Sequence, residues 1–411
     1  MQKIVRSDDL RRQNRRSVLA ALRRLGATSR TALSAATGLS NSTVTLITGS
    51  LLEAGALVQT EAGEANARRG RPQVALALNP RTASVGVLTV TLNRLSATVI
   101  DYAGNRRPER VLRLDTKATG EAALRQACVA LMREALADED AAAGPLRQIT
   151  IAVQGIADAD GGQLLWSPVT ALTQVPIGQW MSDAFGVPST VANDCAMIAA
   201  ALHWREPQRY SDNFAAILLS HGIGMGLYLN GLQFTGIHSS AAEFGHMCLD
   251  PRGAACRCGR RGCIEAYAGD YAIRRNAMGV TIADAFADIE RSEMERLARI
   301  AKAGPGPERE AYRLAGEALG AGLRSLFALF DPFPVAFIGS GVLAFELIEP
   351  ALRETIGLDT TGVTTQLPPI SCFLDEFSLI GDGAQITALT HIDNTIAGAT
   401  DAPQGSTAHA T

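Results

Sequence analysis

Four metal-ligating side chains fall within 18 consecutive positions: His246, Cys256, Cys258 and Cys263. Three thiolates and one imidazole match the closed tetrahedron of a structural Zn2+ site. Gly253, Gly259 and Gly262 give the backbone the turns that closely spaced thiolates need to face one ion. Cys248 is a spare, expected on an adjacent strand and pointing into the core. The alternative is a set of buried cysteines without a ligand, which the glycines and arginines around them oppose. Seven cysteines in 411 residues form no disulfide framework, so a reducing, cytoplasmic location is expected.

A second set of residues has nucleic-acid chemistry. Residues 1–82 hold 13 Lys+Arg against 5 Asp+Glu, a net +8, while the remainder carries 25 against 36, a net −11. A basic head on an acidic body suits binding of nucleic acid by the head alone, although a solvated basic face would look the same. Asn41, Ser42, Thr43, Thr45 and Thr48 are read as small polar groups on the exposed side of one helix. Helices of that kind enter the DNA major groove. Arg68, Arg69 and Arg71, in the Gly-Pro-punctuated run Ala67–Pro72, suit a narrow minor groove.

The elements that must position these groups are legible from periodicity. Asn14 to Leu25 places Val18, Leu19, Leu22 and Leu25 on one helical face, stopped by Gly26. Ser29 can cap a helix over Arg30 to Thr37, and Ser40 or Asn41 a third reaching about Ala54. Ala35, Leu39, Val44 and Leu51 are expected in the core. Strand-like runs at Ala56–Val58 and Gln73–Leu78 complete a winged helix-turn-helix, with a ligand-free three-helix unit as the alternative.

From Ala83 the chain turns to β/α alternation. Strands are expected at Ser84–Val90, Ser96–Asp101, Val111–Asp115, Gln148–Val153 and Ser189–Ala192. A helix over Glu121–Asp138 and another over Cys195–His203 intervene. A second set starts with strands Phe214–Ser220 and Gly224–Leu229. It continues with helices near 264–276, 280–290, 307–330 and 342–355 and strands at 335–338 and 368–373. Two similar halves imply a two-lobed α/β body with a cleft between them. The expected units are a DNA-binding domain at 1–82, one lobe at 83–202, a second lobe with the zinc loop and a C-terminal helix at 203–396, and a disordered tail at 397–411. No stretch approaches the roughly 18 uninterrupted apolar residues of a membrane span.

The sequence resembles the ROK family of repressors and sugar kinases over essentially its whole length. The run Glu243-Phe-Gly-His246 followed by Cys256-Arg-Cys258-Gly-Arg-Arg-Gly-Cys263-Ile-Glu265 reproduces the family's E-x-G-H and C-x-C-G-x-x-G-C-x-E elements. Gly70-Arg71-Pro72 and Leu76-Ala-Leu-Asn79-Pro80 resemble the wing and strand of its repressor branch. The resemblance implies an actin-like (ribonuclease H-like), two-lobed body and zinc on His246, Cys256, Cys258 and Cys263. It also implies a sugar contacted by Asn193, Asp194, Glu243, His246 and Glu265. Carboxylates and an amide can take the paired hydrogen bonds that vicinal sugar hydroxyls offer. Zinc would fix the His246 ring and its tautomer. Asn193-Asp194 is expected at a strand-to-helix junction, where it could equally be a plain N-cap.

Departures from the family pattern bear on catalysis. Asp194 matches the general base of family kinases, yet Leu88-Thr-Val-Thr-Leu92 stands where they carry a phosphate-binding D-x-G-G-T loop. Ser220 to Gly226 keeps part of a glycine cradle, and Gly339-Ser-Gly341 resembles an adenosine-side pair, but hinges and tight packing need the same glycines. Val169 replaces the amide of an S-P-N loop. The reading that results is a sugar-responsive transcription regulator, expected to be a repressor, of carbohydrate uptake or catabolism genes, without kinase activity. Its expected partners are a double-stranded DNA operator, a sugar or sugar-derivative effector, and further copies of itself as a homodimer or homotetramer. The zinc loop is the expected relay. The alternatives are a sugar kinase with an appended DNA-binding head and a ligand-free scaffold.

Overall fold

A computed structural model describes residues 7–61, 74–137, 143–158, 160–236, 243–281, 289–357 and 368–399. The head begins with α1 (Ser7–Leu25), α2 (Arg30–Thr37) and α3 (Asn41–Glu53), then the antiparallel pair β1 (Leu57–Glu61) and β2 (Val74–Leu78). α1 starts at Ser7 rather than Asn14, because Asp8 and Asp9 in its first turn and Arg23 and Arg24 in its last complement the helix dipole. Ser29 caps α2 by accepting from the Ala32 N–H (3.2 Å), and Gly38 ends it at φ 71°. Ser40, not Asn41, caps α3, accepting from the Thr43 N–H at 3.1 Å. Val18, Leu19, Leu22, Leu33, Val44, Leu51 and Leu76 form the head's core. Ala35 is exposed instead, since Leu33 holds the inward position of the short α2.

The body contains the same sheet twice. β3 (Ser84–Thr91), β4 (Arg94–Asp101), β5 (Arg110–Arg113), β6 (Leu146–Val153) and β9 (Ser189–Asn193) are ordered β5-β4-β3-β6-β9. β3, β4 and β5 form an antiparallel meander, and β6 and β9 add in parallel. β10 (Phe214–Leu219), β11 (Ile223–Leu229), β12 (Leu232–Phe234), β13 (Val335–Ile338) and β14 (Ile370–Phe373) repeat that order and those directions. A minor pair, β7 (Ile156–Ala157) with β8 (Leu164–Trp166), leaves the first sheet beside the cleft. Inner strands such as β3 and β10 are buried along their whole length, as sheets covered on both faces require.

Helices fill the layers around these sheets. On the first half these are α4 (Glu121–Ala137), α5 (Ile177–Phe185) and α6 (Asp194–Arg205). On the second are Glu265–Ala268, Asp270–Met278, Arg291–Ala303, Pro307–Phe330 and Phe345–Gly357. The expected helix at 264–276 breaks at Gly269, whose backbone is extended (φ −69°, ψ 157°), and most of 280–290 lies outside the described residues.

The last helix, Glu376–Ala399, corrects the expected boundaries. It packs on α6, on β3 and β6 of the first sheet, and on α1 of the head, so it belongs with the first lobe despite following the second. Its close approach to α6 depends on Gly383, where a Cβ would stand 1.8 Å from the Met197 carbonyl oxygen. Ala397 is fully buried inside this helix, so a disordered tail cannot begin there; 400–411 lie outside the described residues.

The same helix clamps the head. The Arg23 guanidinium of α1 donates to both Asp393 carboxylate oxygens (2.7 and 2.8 Å) and to the Tyr102 carbonyl (2.8 Å). Tyr102 donates its hydroxyl to Asp393 at 2.7 Å and lies under the guanidinium, 4.7 Å from ring centroid to charge. The Arg23 and Asp393 side chains are 4% and 8% exposed, and Tyr102 is fully buried. Residues 370 positions apart thus share one satisfied, water-excluded ion pair.

Candidate sugar pocket and metal centre

The candidate metal ligands come from two folded-back segments. His246 ends the short 3-10 turn Phe244–His246 after β12. Cys256 and Cys258 occupy a knuckle closed by the Gly259 N–H to Cys256 carbonyl bond (3.0 Å) and the Cys256 N–H to Arg260 carbonyl bond (2.9 Å). Cys263 returns beside them because Gly262 adopts φ 71°, where a Cβ would fall 1.6 Å from the Asp250 carbonyl oxygen. The four donor atoms all lie within 4.8 Å of one another. Cys258 Sγ to Cys263 Sγ and Cys256 Sγ to His246 Nδ1 both measure 3.7 Å. Tetrahedral zinc with Zn–S near 2.3 Å and Zn–N near 2.0 Å requires edges of about 3.8 and 3.5 Å, and these two pairs come close to them, so the donor set is compatible with the ion. Cys248 is exposed rather than turned into the core; its backbone bridges Cys263 while its thiol stays outside the donor set.

His246 turns its other ring nitrogen away from the thiols, with Nε2 3.9 Å from Glu243 Oε2. Asn193, Asp194, Glu243, His246 and Glu265 line a single pocket between the lobes. Asp194 is the first residue of α6 and 3% exposed; its carboxylate accepts from the Cys195 N–H at 2.9 Å. Burial pushes its pKa up to about 7, against the lowering pull of that bond. Burial also raises the Glu243 carboxyl, with the His246 ring opposing. Glu265 accepts from the Ile223 N–H (3.1 Å) and approaches the Cys256 thiol (3.7 Å), joining the pocket floor to the metal cluster.

Asn193 does both things its position allows. Its side-chain oxygen caps α6 through the Ala196 N–H (3.1 Å), and its amide donates to the Gly155 carbonyl at 2.7 Å. One N–H and one lone pair remain for a ligand. Sequence reasoning missed Lys117, Gln154, Trp166, His221 and Arg257 in the same pocket. Arg257 was findable, since it sits between two zinc-type cysteines that must overhang the site; its guanidinium donates to the His221 carbonyl (3.0 Å) and covers the Tyr271 ring. Lys117 follows β5 on a loop with no local signal. Leu92, Ile156, Trp166, Pro168 and Val169 form an apolar wall. Ser167 braces it by donating to the Gln154 carbonyl and accepting from the Val169 N–H.

Beside Thr91 and Leu92, which stand where the family pattern has its phosphate loop, a cavity has an acidic lining. Asp194, Asp270, Glu290 and Glu376 face one cavity, and Arg291 on its wall pairs with Glu295. β3 runs straight to Thr91 and turns through Leu92-Asn93 into β4, so its backbone is bonded in the ladder. Gly224 and Gly226 serve packing: a Cβ at either would lie 2.4 Å from Cys195 Sγ or 2.1 Å from the Cys195 carbonyl. A Cβ at Gly341 would lie 2.8 Å from the Leu219 Cβ.

In the head, Asn41, Ser42 and Thr45 are exposed and Thr43 is half-buried. Thr48 is a correction: it is fully buried, donates to the Val44 carbonyl (2.8 Å) and accepts from Arg30 Nε (2.9 Å), so it braces α3 against α2. Thr48→Val is expected to cost about 1 kcal/mol in thermal unfolding, with DNA affinity unchanged. Arg68, Arg69 and Arg71 lie outside the described residues. No described helix is long and apolar enough to cross a membrane.

A helix-turn-helix head with a β-hairpin, joined to an actin-like body that bears a cysteine–histidine knuckle, defines the class of protein to compare with. The ROK family model matches residues 91–363. The DNA-binding transcriptional dual regulator NagC of Escherichia coli is 24% identical over 91% of this chain and 92% of its own. Among solved structures, a ROK family transcriptional regulator, described as a homologue of the Escherichia coli MLC protein, has a TM-score of 0.75 at 24% identity, covering 94% of this chain and 98% of that one. The ROK hexokinase of Thermus thermophilus has a TM-score of 0.60 at 25% identity and covers 76% of this chain and 99% of its own. The chain belongs to the ROK family.

Proposed function

We propose that this chain is a cytoplasmic, sugar-responsive transcription regulator that binds its effector without phosphorylating it. The observation that carries the reading is a single pocket holding Asn193, Asp194, Glu243, His246 and Glu265, next to a would-be phosphate cavity walled by carboxylates. Phosphoryl transfer needs backbone donors and cations around the phosphates, and Asp270, Glu290 and Glu376, which stand there beside the kinase-type Asp194, supply neither. Zn2+ on His246, Cys256, Cys258 and Cys263 would hold the knuckle closed and orient His246 Nε2 and Glu265 toward sugar hydroxyls. Similarity to NagC over 91% of this chain supports operator binding. In this reading 1–82 bind DNA, the first lobe includes 376–399, and a palindromic operator takes a dimer.

The relay in this reading runs through α6 and the last helix, not through the zinc loop that the sequence suggested, because the last helix is the body element that packs on α1. Asp194 opens α6 at the pocket, α6 lies against the last helix at Gly383, and that helix grips α1 through Asp393 and Arg23. A sugar that prefers one lobe spacing would bias the head through this chain of rigid contacts, to the extent that it binds two arrangements unequally.

Coupled ATP turnover across a panel of hexoses tests the non-enzymatic part, and no turnover above background is expected. Asp194 is what favours a second reading: a buried carboxyl poised near 7 is suited to general-base work. Turnover that vanishes in Asp194→Asn would establish a sugar kinase carrying a DNA-binding head.

A further inference from the structure

The outward face of α3 has an unusual composition for a helix that reads DNA. Its only charged residue is Glu53, at the far end. Lysine or arginine pairing with guanine O6 and N7 is therefore not on offer from this helix. The hydroxyls near its start are already engaged with one another. Ser42 and Thr43 lie 2.8 Å from Ser40 Oγ, and Thr45 donates to the Asn41 carbonyl at 2.8 Å. Among them projects Leu46, 76% exposed, the highest value for any large hydrophobic side chain among the described residues. It lies opposite the buried face made by Val44, Ile47 and Leu51, one turn after Ser42 and one before Gly49, where a Cβ would meet nothing.

On the proposal that the head reads the major groove, we infer that Leu46 is a specificity-determining residue that seats against the C5-methyl group of a thymine. The thymine methyl is the one apolar group a base edge presents there, and it suits an aliphatic side chain. Residues 1–82 carry a net +8, and the excess that remains with Arg23 engaged by Asp393 attracts phosphate and favours DNA over another apolar surface as the partner. Specificity at that position then comes from shape and dehydration, with no hydrogen bond from Leu46.

The test begins by selecting duplexes from a random pool with the full-length chain. Each thymine of the selected site is then replaced by deoxyuridine, which removes only the methyl group. One position per half-site is expected to weaken wild-type binding about fourfold, the worth of one buried methyl. Leu46→Ala is expected to bind the dT and dU duplexes equally, with the slope of affinity against salt unchanged because its phosphate contacts are intact. Wild-type indifference to every dU replacement overturns the inference, as does a Leu46→Ala variant that keeps full methyl dependence. Recovery of no selected sequence at all would instead overturn the DNA-reading proposal, and this one with it.

Discussion

Asp393→Ala is expected to destabilise the protein by about 3–5 kcal/mol, measured by denaturant unfolding of the full chain. The size follows from what the substitution leaves behind. Arg23 is 4% exposed, and three of its hydrogen-bonding nitrogens converge on Asp393 and the Tyr102 carbonyl. Without the carboxylate, a guanidinium that cannot be deprotonated stays buried beside an orphaned Tyr102 hydroxyl. A triple change, Arg23→Met with Asp393→Leu and Tyr102→Phe, removes both charges and the hydroxyl together. Part of the lost stability should return, because an ion pair replaced by apolar groups is close to neutral, while the Tyr102 carbonyl still loses the Arg23 donor. The triple variant also separates stability from signalling. If the clamp is the joint of the relay, this variant should bind DNA and sugar but respond to sugar with a smaller change in DNA affinity.

The second large effect is expected at the metal. Cys263→Ser should lower bound zinc from one equivalent to none and weaken sugar binding by about 100-fold, read by elemental analysis and calorimetry. The reasoning runs through Glu265, which contacts both the Ile223 N–H of β11 and the Cys256 thiol, and through His246, whose ring the ion would hold. Opening the knuckle releases both from the pocket floor. α3 shares no element with the knuckle, so DNA affinity in the absence of sugar should stay near the wild-type value. Cys248→Ser is the control: its thiol is exposed and outside the donor set, and zinc content should not change.

Local signals in the sequence carried much of this architecture. The knuckle is a short-range object, built from four donors and three glycines, and spacing alone is enough to find it. Helix caps at Ser29 and Ser40 are equally local. Thr48 was misread because its partner, Arg30, lies on another helix, and a hydroxyl satisfied by a neighbour can face inward. The last helix gave no amphipathic signal since α1, α6 and the first sheet cover it on several sides, leaving no single polar stripe. The acidic cavity is assembled from Asp194, Asp270, Glu290 and Glu376, four distant positions whose meeting only the tertiary fold creates. The departure of Leu88–Leu92 from the D-x-G-G-T pattern was visible in sequence, whereas the clustering of these carboxylates was not.

The most direct measurement is fluorescence anisotropy of an operator duplex with the full-length chain, titrated with monosaccharides and their derivatives while ADP release is followed in the same sample. A shift in DNA affinity of about 5- to 150-fold by one carbohydrate, with no ADP formed, is the predicted result. Identical DNA affinity under every carbohydrate, accompanied by phosphorylation of one of them, would contradict it.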